Sequence, residues 1–350
     1  MKRILMITMF AAMAVGCGSA QNKVASVKTV GVDEFAQIIV QKNVRLIDVR
    51  TPKEYAEGHI LGAEMIDVKA ADFAERTKGI NGTVAVYCRS GRRSLDAANR
   101  LAAQGCTVYN LDGGILAWQK AGKPTTTIET DIFSTKKGKL VKMHALMHAS
   151  ICIEYDGKTI YVDPCSKLGD RTVDYSTMPK ADIILVTHEH FDHYDTSALR
   201  QLITDRTQLI MNPRCVELYG SGKVMKNGDK QRLSGIGSLV AVPAYNITKG
   251  HEKFHPKGRD NGYILTLDDL NIYIAGDTED IPEMATLKDR DIDIALLPCN
   301  QPYTMTPEQL IRAAKMVQPK VLFPYHYGET DVRGIPAQLP GIDVRIRHYE

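Results

Sequence analysis

Four potential metal ligands follow directly after a run of apolar residues. Residues 183–186 (IILV) read as a buried strand, and the sequence THEHFDHYD after them contains His188, His190, Asp192 and His193. In an extended segment, side chains two residues apart point to the same side, so His188 and His190 can hold one ion. Asp192 and His193 then turn toward a second ion. A solvated histidine cluster is the alternative, but the place after a buried strand favours a metal site for Zn²⁺, Mn²⁺ or Fe²⁺.

Two later strand ends add acids and imidazoles to this set. IYIAGDTED ends a strand with Asp277, and VLFPYHYGETD ends another with His326. The surrounding sequence is rich in strands, such as ICIEYDGKTIYVDP, ADIILVT and IDIALLP, with fewer helices such as TPEQLIRAAKMV. This order predicts two sheets sandwiched between helices.

Together these motifs resemble the metallo-β-lactamase fold over residues 140–350, and most closely its metal-dependent hydrolase branch that includes ascorbate-6-phosphate lactonase. LMHASICIEYDGKTIYVDP resembles the opening hairpin of that branch, with His148 and Asp163 at its characteristic positions. The resemblance implies that Asp277 bridges two metal ions. It implies that one ion is also bound by His188 and His190, and the other by Asp192, His193 and His326.

The segment after VPA departs from the family pattern. The family supplies a further histidine here, but the sequence reads VPAYNITKGHEKFHPKGRDNGY and Asn246 occupies the expected place. His251 or His255 can replace it, or the first ion has a weak third ligand. We favour His255, because the proline after it stiffens the chain. We expect two divalent ions, zinc or manganese, with iron as the alternative.

Two ions about 3.5 to 4 Å apart would lower the pKa of a bridging water and polarise a carbonyl or phosphoryl oxygen, which predicts hydrolysis. Asp192 is the candidate to accept the proton of that water. Cations dominate the loop at 249–260, and they favour an anionic small-molecule substrate if the loop borders the site, whereas the alternative is a solvated loop. Candidate pocket residues are His148, Asn246, Asn300 and Tyr303.

The region 24–123 alternates short apolar runs with helical stretches, which predicts a parallel sheet covered by helices. Cys88 lies between the strand TVAVYC and the helix SLDAANRLAAQG, where open α/β sheets bind ligands. The loop's backbone N–H groups, its three arginines and the positive end of the helix would lower the thiol pKa, so that a thiolate can carry a sulfane sulfur as a persulfide. The alternative is a buried core cysteine.

The sequences LIDVRTPKEYAEGHILGAEMIDV, VYCRSGRRS and GGILAWQKAGKP resemble a single-domain rhodanese. The resemblance implies that Cys88 carries the persulfide and that the loop after it cradles the sulfur. The cradle residues are Arg89, Ser90, Gly91, Arg92 and Arg93. A loop of this length implies a small sulfane-sulfur donor such as thiosulfate or a persulfide. We expect structural roles for Asp48 and His59.

The amino-terminal residues 1–16 have a basic start and a short apolar run, which is typical of a secretory signal. AVGC resembles the lipobox of bacterial lipoproteins, which implies a lipid anchor at Cys17 and a periplasmic or cell-surface location; an ordinary cleavable signal is the alternative. Residues 17–23 then form a tether and 124–139 a linker. Because residues 1–16 contain two basic and no acidic residues, their removal lowers the formal charge from +3 to +1. Nucleic acid is therefore not an expected partner.

The combined prediction is an exported, lipid-anchored α/β enzyme with a rhodanese-like domain before a metallo-β-lactamase-fold hydrolase domain. One alternative is an oxidoreductase resembling the persulfide dioxygenases, which use a single Fe²⁺ in the same fold. Another is a non-catalytic sulfur-binding or redox-sensing lipoprotein.

Overall fold

The computed structural model of the chain describes residues 25–349. The predicted signal peptide at 1–16 and tether at 17–23 lie outside the described residues. Within residues 25–349, every helix is too short or too polar to cross a membrane.

The first domain is a five-stranded parallel sheet in the order β1-β5-β4-β2-β3. Its strands are β1 (Ser26–Val30), β2 (Val44–Asp48), β3 (Ala63–Met65), β4 (Thr83–Tyr87) and β5 (Thr107–Leu111). Its helices are α1 (Val32–Ile39), α2 (Pro52–Ala56), α3 (Phe73–Thr77), α4 (Arg92–Ala103) and α5 (Gly114–Lys120). Along β4, Val84 and Val86 enter one apolar cluster while Ala85 and Tyr87 enter another. Both faces of the sheet are therefore buried, as expected of a parallel sheet covered by helices.

The second domain contains two seven-stranded sheets in the orders β14-β13-β12-β9-β8-β7-β6 and β15-β16-β17-β18-β19-β20-β21. The strands of the first sheet are β6 (Thr130–Ser134), β7 (Leu140–Met147), β8 (Ser150–Tyr155), β9 (Lys158–Val162), β12 (Ile183–Val186), β13 (Gln208–Met211) and β14 (Lys223–Val224), and a separate hairpin joins β10 (Lys167–Leu168) to β11 (Arg171–Thr172). The strands of the second sheet are β15 (Lys230–Leu233), β16 (Gly237–Ala244), β17 (Asp260–Leu267), β18 (Leu270–Ile274), β19 (Ile294–Pro298), β20 (Val321–Tyr325) and β21 (Asp343–Val344).

Helices cover the outer faces of these two sheets. They are α6 (Thr196–Leu202), α7 (Pro213–Tyr219), α8 (Pro307–Val317) and α9 (Ile335–Gln338), with 3₁₀ segments at Tyr175–Thr177 and Pro282–Arg290. Along β12, Ile183 and Leu185 enter the core between the sheets, whereas Ile184 and Val186 pack in the cluster that contains residues of α6. The predicted arrangement of two sheets between helices is confirmed.

The stretch predicted to be a linker, 124–139, contains the first strand of the second domain. β6 pairs antiparallel with β7, and Asp131 on β6 is buried between Arg345 and Arg347. The polar composition of this stretch hid the strand, because the partners of its buried acid lie more than 200 residues further along the chain.

Backbone and side-chain hydrogen bonds join the two domains. The buried ring of His59 lies 3.0 Å from the carbonyl oxygen of Tyr55 and 2.8 Å from that of Ile128. Arg45 donates to the carbonyl oxygen of Ile132 on β6. Asp48 accepts three side-chain hydrogen bonds from Arg50 within the first domain. His59 and Asp48 thus have structural contacts.

Candidate metal centre and thiol site

The end of β12 is held by a buried carboxylate. Asp163, which follows β9, accepts hydrogen bonds from the backbone N–H and the hydroxyl of Thr187, both at 2.7 Å. Its Oδ2 also lies 2.9 Å from Nδ1 of His193. Because β9 and β12 are parallel neighbours, their carboxyl ends meet at one edge of the sheet, and Asp163 can orient the motif that follows β12.

The first ligand group combines the motif with a loop and a strand end. His188, His190, His255 and Asp277 each offer one ligand atom, and these atoms lie within 4.8 Å of one another. His255 comes from the loop before β17, as the sequence favoured. His251 lies outside this group, and its Nδ1 is 3.1 Å from Oε1 of Glu279.

The second ligand group consists of His148, Asp192, His193 and His326, again within 4.8 Å of one another. His148 was expected only to line the pocket. In the structure its Nε2 lies 3.1 Å from Oδ2 of Asp192, and its ring centroid is 3.7 Å from that of His326. The structure therefore gives this group one histidine more than the resemblance implied.

The carboxylate of Asp277 reaches both groups. Oδ1 lies 3.3 Å from Nε2 of His193, whereas Oδ2 lies 3.3 Å from Nε2 of His255 and 3.3 Å from Nε2 of His326. This is the geometry that the resemblance implied for a bridging ligand.

The buried polar atoms of the two groups fit metal ions. Atoms that are buried without a hydrogen-bond partner include Nε2 of His188, His193, His255 and His326, and Oδ1 of Asp277. A buried polar atom without a partner costs about 1–3 kcal/mol, so a concentration of them in one place calls for ligands that the protein itself does not supply. Burial lowers the pKa of His188, which keeps its ring in the neutral form that binds metals.

The other predicted pocket residues have mixed roles. Asn246 is buried, and its Nδ2 donates to the carbonyl oxygen of Tyr303 at 2.8 Å. The backbone N–H of Asn300 donates to the hydroxyl of Thr304 at 2.7 Å. Tyr303 is half-exposed, and its ring packs edge-on against Phe254 at 5.0 Å. Asn246 thus holds the backbone of Tyr303 in place, while the ring of Tyr303 is accessible to solvent.

Cys88 follows β4 and is buried beside the start of α4. Burial alone would raise its pKa, but the Ser94 hydroxyl and the backbone N–H groups of Ser94, Ser90 and Gly91 outweigh burial and hold the pKa of the thiol below its usual value. Oγ of Ser94 lies 3.4 Å from the sulfur. The sequence interpretation missed Ser94. Its position in the first turn of α4, directly after the cysteine loop, could have indicated that its hydroxyl reaches the thiol.

The arginines of the loop are not the main cause of this lowered pKa. Arg93 is held by two hydrogen bonds to the carboxylate of Glu54, at 2.8 and 2.6 Å. Glu54 also completes a capping box with Thr51 at the start of α2. Hydroxyl and amide donors are thus the leading cause of the lowered thiol pKa, and Arg93 also interacts with Cys88, as the raised pKa of Arg93 reflects after the larger effect of Glu54.

Two glycines shape the loop around Cys88. Gly91 has φ +88°, a conformation that side chains rarely adopt. A Cβ on Gly114 would lie 2.4 Å from the carbonyl oxygen of Cys88. At the start of α5, the backbone N–H of Ile115 donates to that same oxygen at 2.9 Å. The close approach of α5 therefore requires glycine and holds the base of the loop.

Comparison with known proteins agrees with this geometry. Residues 142–326, just over half of the chain, match the model of the beta-lactamase superfamily domain. The chain belongs to the beta-lactamase superfamily. Residues 31–121 match the rhodanese-like domain. The predicted fold is thereby confirmed as a rhodanese-like parallel-sheet domain followed by a metallo-β-lactamase-fold domain.

Relatives of the second domain are metal-dependent hydrolases. A UPF0173 metal-dependent hydrolase of Thermus thermophilus is 32% identical over 54% of this chain and 84% of its own length. One of Thermococcus kodakarensis is 31% identical over 54% of this chain and 85% of its own length. A crystal structure from Parabacteroides distasonis ATCC 8503, described as a metal-dependent hydrolase, shares 51% identity with a TM-score of 0.61, and the match covers 64% of this chain and 100% of that one. The second domain is therefore a metal-dependent hydrolase.

Proposed function

We propose that the second domain hydrolyses a small-molecule ester, lactone or phosphoester with two divalent ions, zinc or manganese, and with iron as the alternative. The observation that carries this proposal is Asp277, whose carboxylate lies 3.3 Å from His255 of the first ligand group and 3.3 Å from His193 and His326 of the second. The hairpin with His148 and Asp163 supports a place near the lactonase branch of the superfamily. The fourth member of the second group favours two ions over the single iron of a persulfide dioxygenase.

The protein's own residues orient the ligands and move a proton. Asp163 accepts from Nδ1 of His193, and Asp260 accepts from Nδ1 of His255, so both rings present Nε2 to the centre. When bound, two such ions supply Lewis-acid polarisation and lower the pKa of water. Asp192 is more exposed than Asp277, which supports Asp192 as the group that would accept the proton of the attacking water.

Elemental analysis of the purified protein, combined with turnover assays, tests this proposal. We expect two ions per chain, and loss of ester, lactone or phosphodiester hydrolysis after chelation. Asp277→Asn should lose metal and turnover, whereas Asp331→Asn, an exposed control, should keep both. One iron per chain with oxygen uptake on glutathione persulfide would instead establish the dioxygenase alternative.

We propose that Cys88 carries sulfane sulfur. The thiolate attacks the outer sulfur of thiosulfate, the S–S bond of thiosulfate breaks with its electron pair on sulfite, and the cysteine persulfide anion remains. Thiosulfate should therefore add the mass of one sulfur atom to the protein. Cys88→Ser should abolish this addition, whereas Cys106→Ser should not, since burial raises the pKa of Cys106. If neither Cys88→Ser nor Asp277→Ala changes any turnover, the non-catalytic sulfur-binding alternative follows.

We propose that the protein is exported and anchored by a lipid on Cys17. The basic start, the short apolar run and the AVGC sequence support this location. Cys17→Ser should move the protein from the membrane fraction to the soluble fraction and block incorporation of labelled palmitate. If Cys17→Ser fractionates as the wild type does, the amino-terminal segment is an ordinary cleaved signal without a lipid anchor.

A further inference from the structure

Three exposed apolar side chains lie near the candidate metal centre: two are on loops that carry ligand-group residues, and the third is on a loop that contacts one of these loops. Phe191 is 74% exposed, Tyr303 47% and Ile247 45%. Large apolar side chains are usually buried, and neighbouring exposed ones commonly mark a binding surface. We call these three residues the apolar rim.

Phe191 and Tyr303 are linked to the centre by a chain of contacts. Phe191 stands between His190 and Asp192, which belong to different ligand groups. The ring centroids of His190 and His255 are 4.8 Å apart. Phe254, which precedes His255, packs against Tyr303. Phe191 therefore adjoins one histidine of the first ligand group along the chain, and Tyr303 contacts the neighbour of another.

Ile247, the third residue of the apolar rim, is held in place by the buried carboxylate of Glu279. Glu279 lies two residues after Asp277 and accepts hydrogen bonds from the backbone N–H groups of Ile247 and Thr248, at 2.8 and 2.6 Å. Its other oxygen lies 3.1 Å from Nδ1 of His251. These bonds place Ile247 in a defined position, so its exposure belongs to a built surface and is present before a ligand binds.

The charges of the neighbouring loop are largely paired. Lys257 forms an ion pair with Glu283 at 2.8 Å, and Arg259 pairs with Asp260 at 2.6 Å. Nζ of Lys253 lies over the ring of Phe254, 4.9 Å from its centroid. Three of the loop's four cations, Lys253, Lys257 and Arg259, therefore have partners within the loop or beside it, which favours selection of the substrate by the apolar side chains.

We propose that the apolar rim binds an aliphatic chain or aromatic ring of the substrate next to its scissile carbonyl. This inference rests on the hydrolase function proposed above and narrows its substrate to apolar esters or lactones. Phenyl rings and short alkyl chains complement exposed aromatic side chains, because both surfaces leave water when they meet. Ions held by the two ligand groups would polarise the carbonyl, while Phe191, Ile247 and Tyr303 bind the apolar part.

Binding of Nile red, a neutral apolar dye, tests the rim without any turnover. The metal-loaded wild type should enhance the dye's emission, and the double variant Phe191→Ala/Tyr303→Ala should bind it about tenfold more weakly, given the apolar area removed. Leu218→Ala is the matched control, since Leu218 is 49% exposed on α7, which carries none of the ligand-group residues. Metal content and thermal stability of each variant establish that it is folded and loaded. Equal dye binding by the wild type and the double variant would overturn the proposal.

A series of 4-nitrophenyl esters tests the same rim by catalysis. The wild type should show kcat/KM about tenfold higher for the hexanoate and phenylacetate than for the acetate. The double variant should lose most of this preference, and Leu218→Ala should keep it. Hydrolysis of the acetate and hexanoate at equal kcat/KM would overturn the rim while leaving the hydrolase function intact. If metal-loaded wild type hydrolyses no ester, lactone or phosphodiester, the hydrolase proposal fails and the dye measurement still decides whether the rim binds apolar groups.

Discussion

Oδ2 of Asp260 lies 2.9 Å from Nδ1 of His255, and both side chains are buried. Arg259 donates to both oxygens of the same carboxylate and to the carbonyl oxygen of Phe254. His255, which comes from a loop, thus has an acceptor for its Nδ1 in Asp260, and Arg259 holds that loop in place. His255 and Asp260 together take the place of the histidine that the segment after VPA lacks.

Replacement of Asp260 by asparagine should therefore weaken one metal site selectively. The neutral amide is a weaker acceptor for Nδ1–H of His255, and the loss of such a partner typically reduces metal affinity about 10- to 100-fold. We expect competition with a chromogenic chelator to show one weakened ion and one unchanged ion. Asp331→Asn, which changes an exposed ion pair, is the control. Two unchanged affinities would show that Asp260 does not support the ligand.

His148 and His251 offer a direct comparison of a histidine inside a ligand group with one outside it. His148→Ala should lower the bound metal from two ions toward one, since His148 belongs to the second group. His251→Ala should keep both ions, because His251 contacts Glu279 instead. Metal analysis after gel filtration provides the measurement, and the reverse pattern would reassign the ligands.

Ser94→Ala should make Cys88 less reactive near neutral pH. Donors to the thiolate hold its folded pKa below the usual value, so removal of the Ser94 hydroxyl raises the pKa and reduces the thiolate fraction. Alkylation by iodoacetamide at pH 7 should become about 3- to 10-fold slower, as expected for loss of one hydrogen bond worth about 1 kcal/mol. Ser90→Ala is the matched control, because Ser90 acts through its backbone N–H. Equal alkylation of both variants would contradict the role of the Ser94 hydroxyl.

Asp131→Asn should destabilise the second domain by about 3 kcal/mol at pH 7, because it removes the buried partner of two arginines. Burial alone would raise the pKa of Asp131, but Arg347 and Arg345 hold it below its usual value. Its contribution is therefore complete above the unfolded pKa and is lost as the pH falls through the folded pKa. The difference between wild type and variant in urea unfolding should be largest near pH 7 and shrink below about pH 4.

The control for this experiment is Asp343→Asn, which breaks an ion pair of Arg345 at a half-exposed position. Its effect on the free energy of unfolding should stay below about 1 kcal/mol. A destabilisation as large as that of Asp131→Asn would mean that the pairing of Arg345, and not the burial of Asp131, stabilises this edge of the sheet.

Most of the fold and half of the ligand set follow from local patterns in the sequence. Continuous apolar runs identify β4 and β12 as buried strands, and the residues after them lie at a sheet edge in any parallel arrangement. The spacing of His188, His190 and Asp192 then predicts a metal site, because side-chain direction in a short segment depends only on the local backbone. The same holds for Cys88 between a strand and a helix.

Long-range contacts decided the rest. The choice of His255 over His251 depends on the path of a loop, and that path is set by Asp260 and Glu279. The entry of His148 into a ligand group depends on the contact between the segments that follow β7 and β20, where the backbone N–H of His326 donates to the carbonyl oxygen of His148. β6 forms a strand because Arg345 and Arg347 neutralise its buried acid. Such partners are remote along the chain, and no local periodicity encodes their distance. Short sequence motifs thus predict which residues can bind metal or carry sulfur. The metal centre itself forms only when the free energy of tertiary packing brings distant residues together.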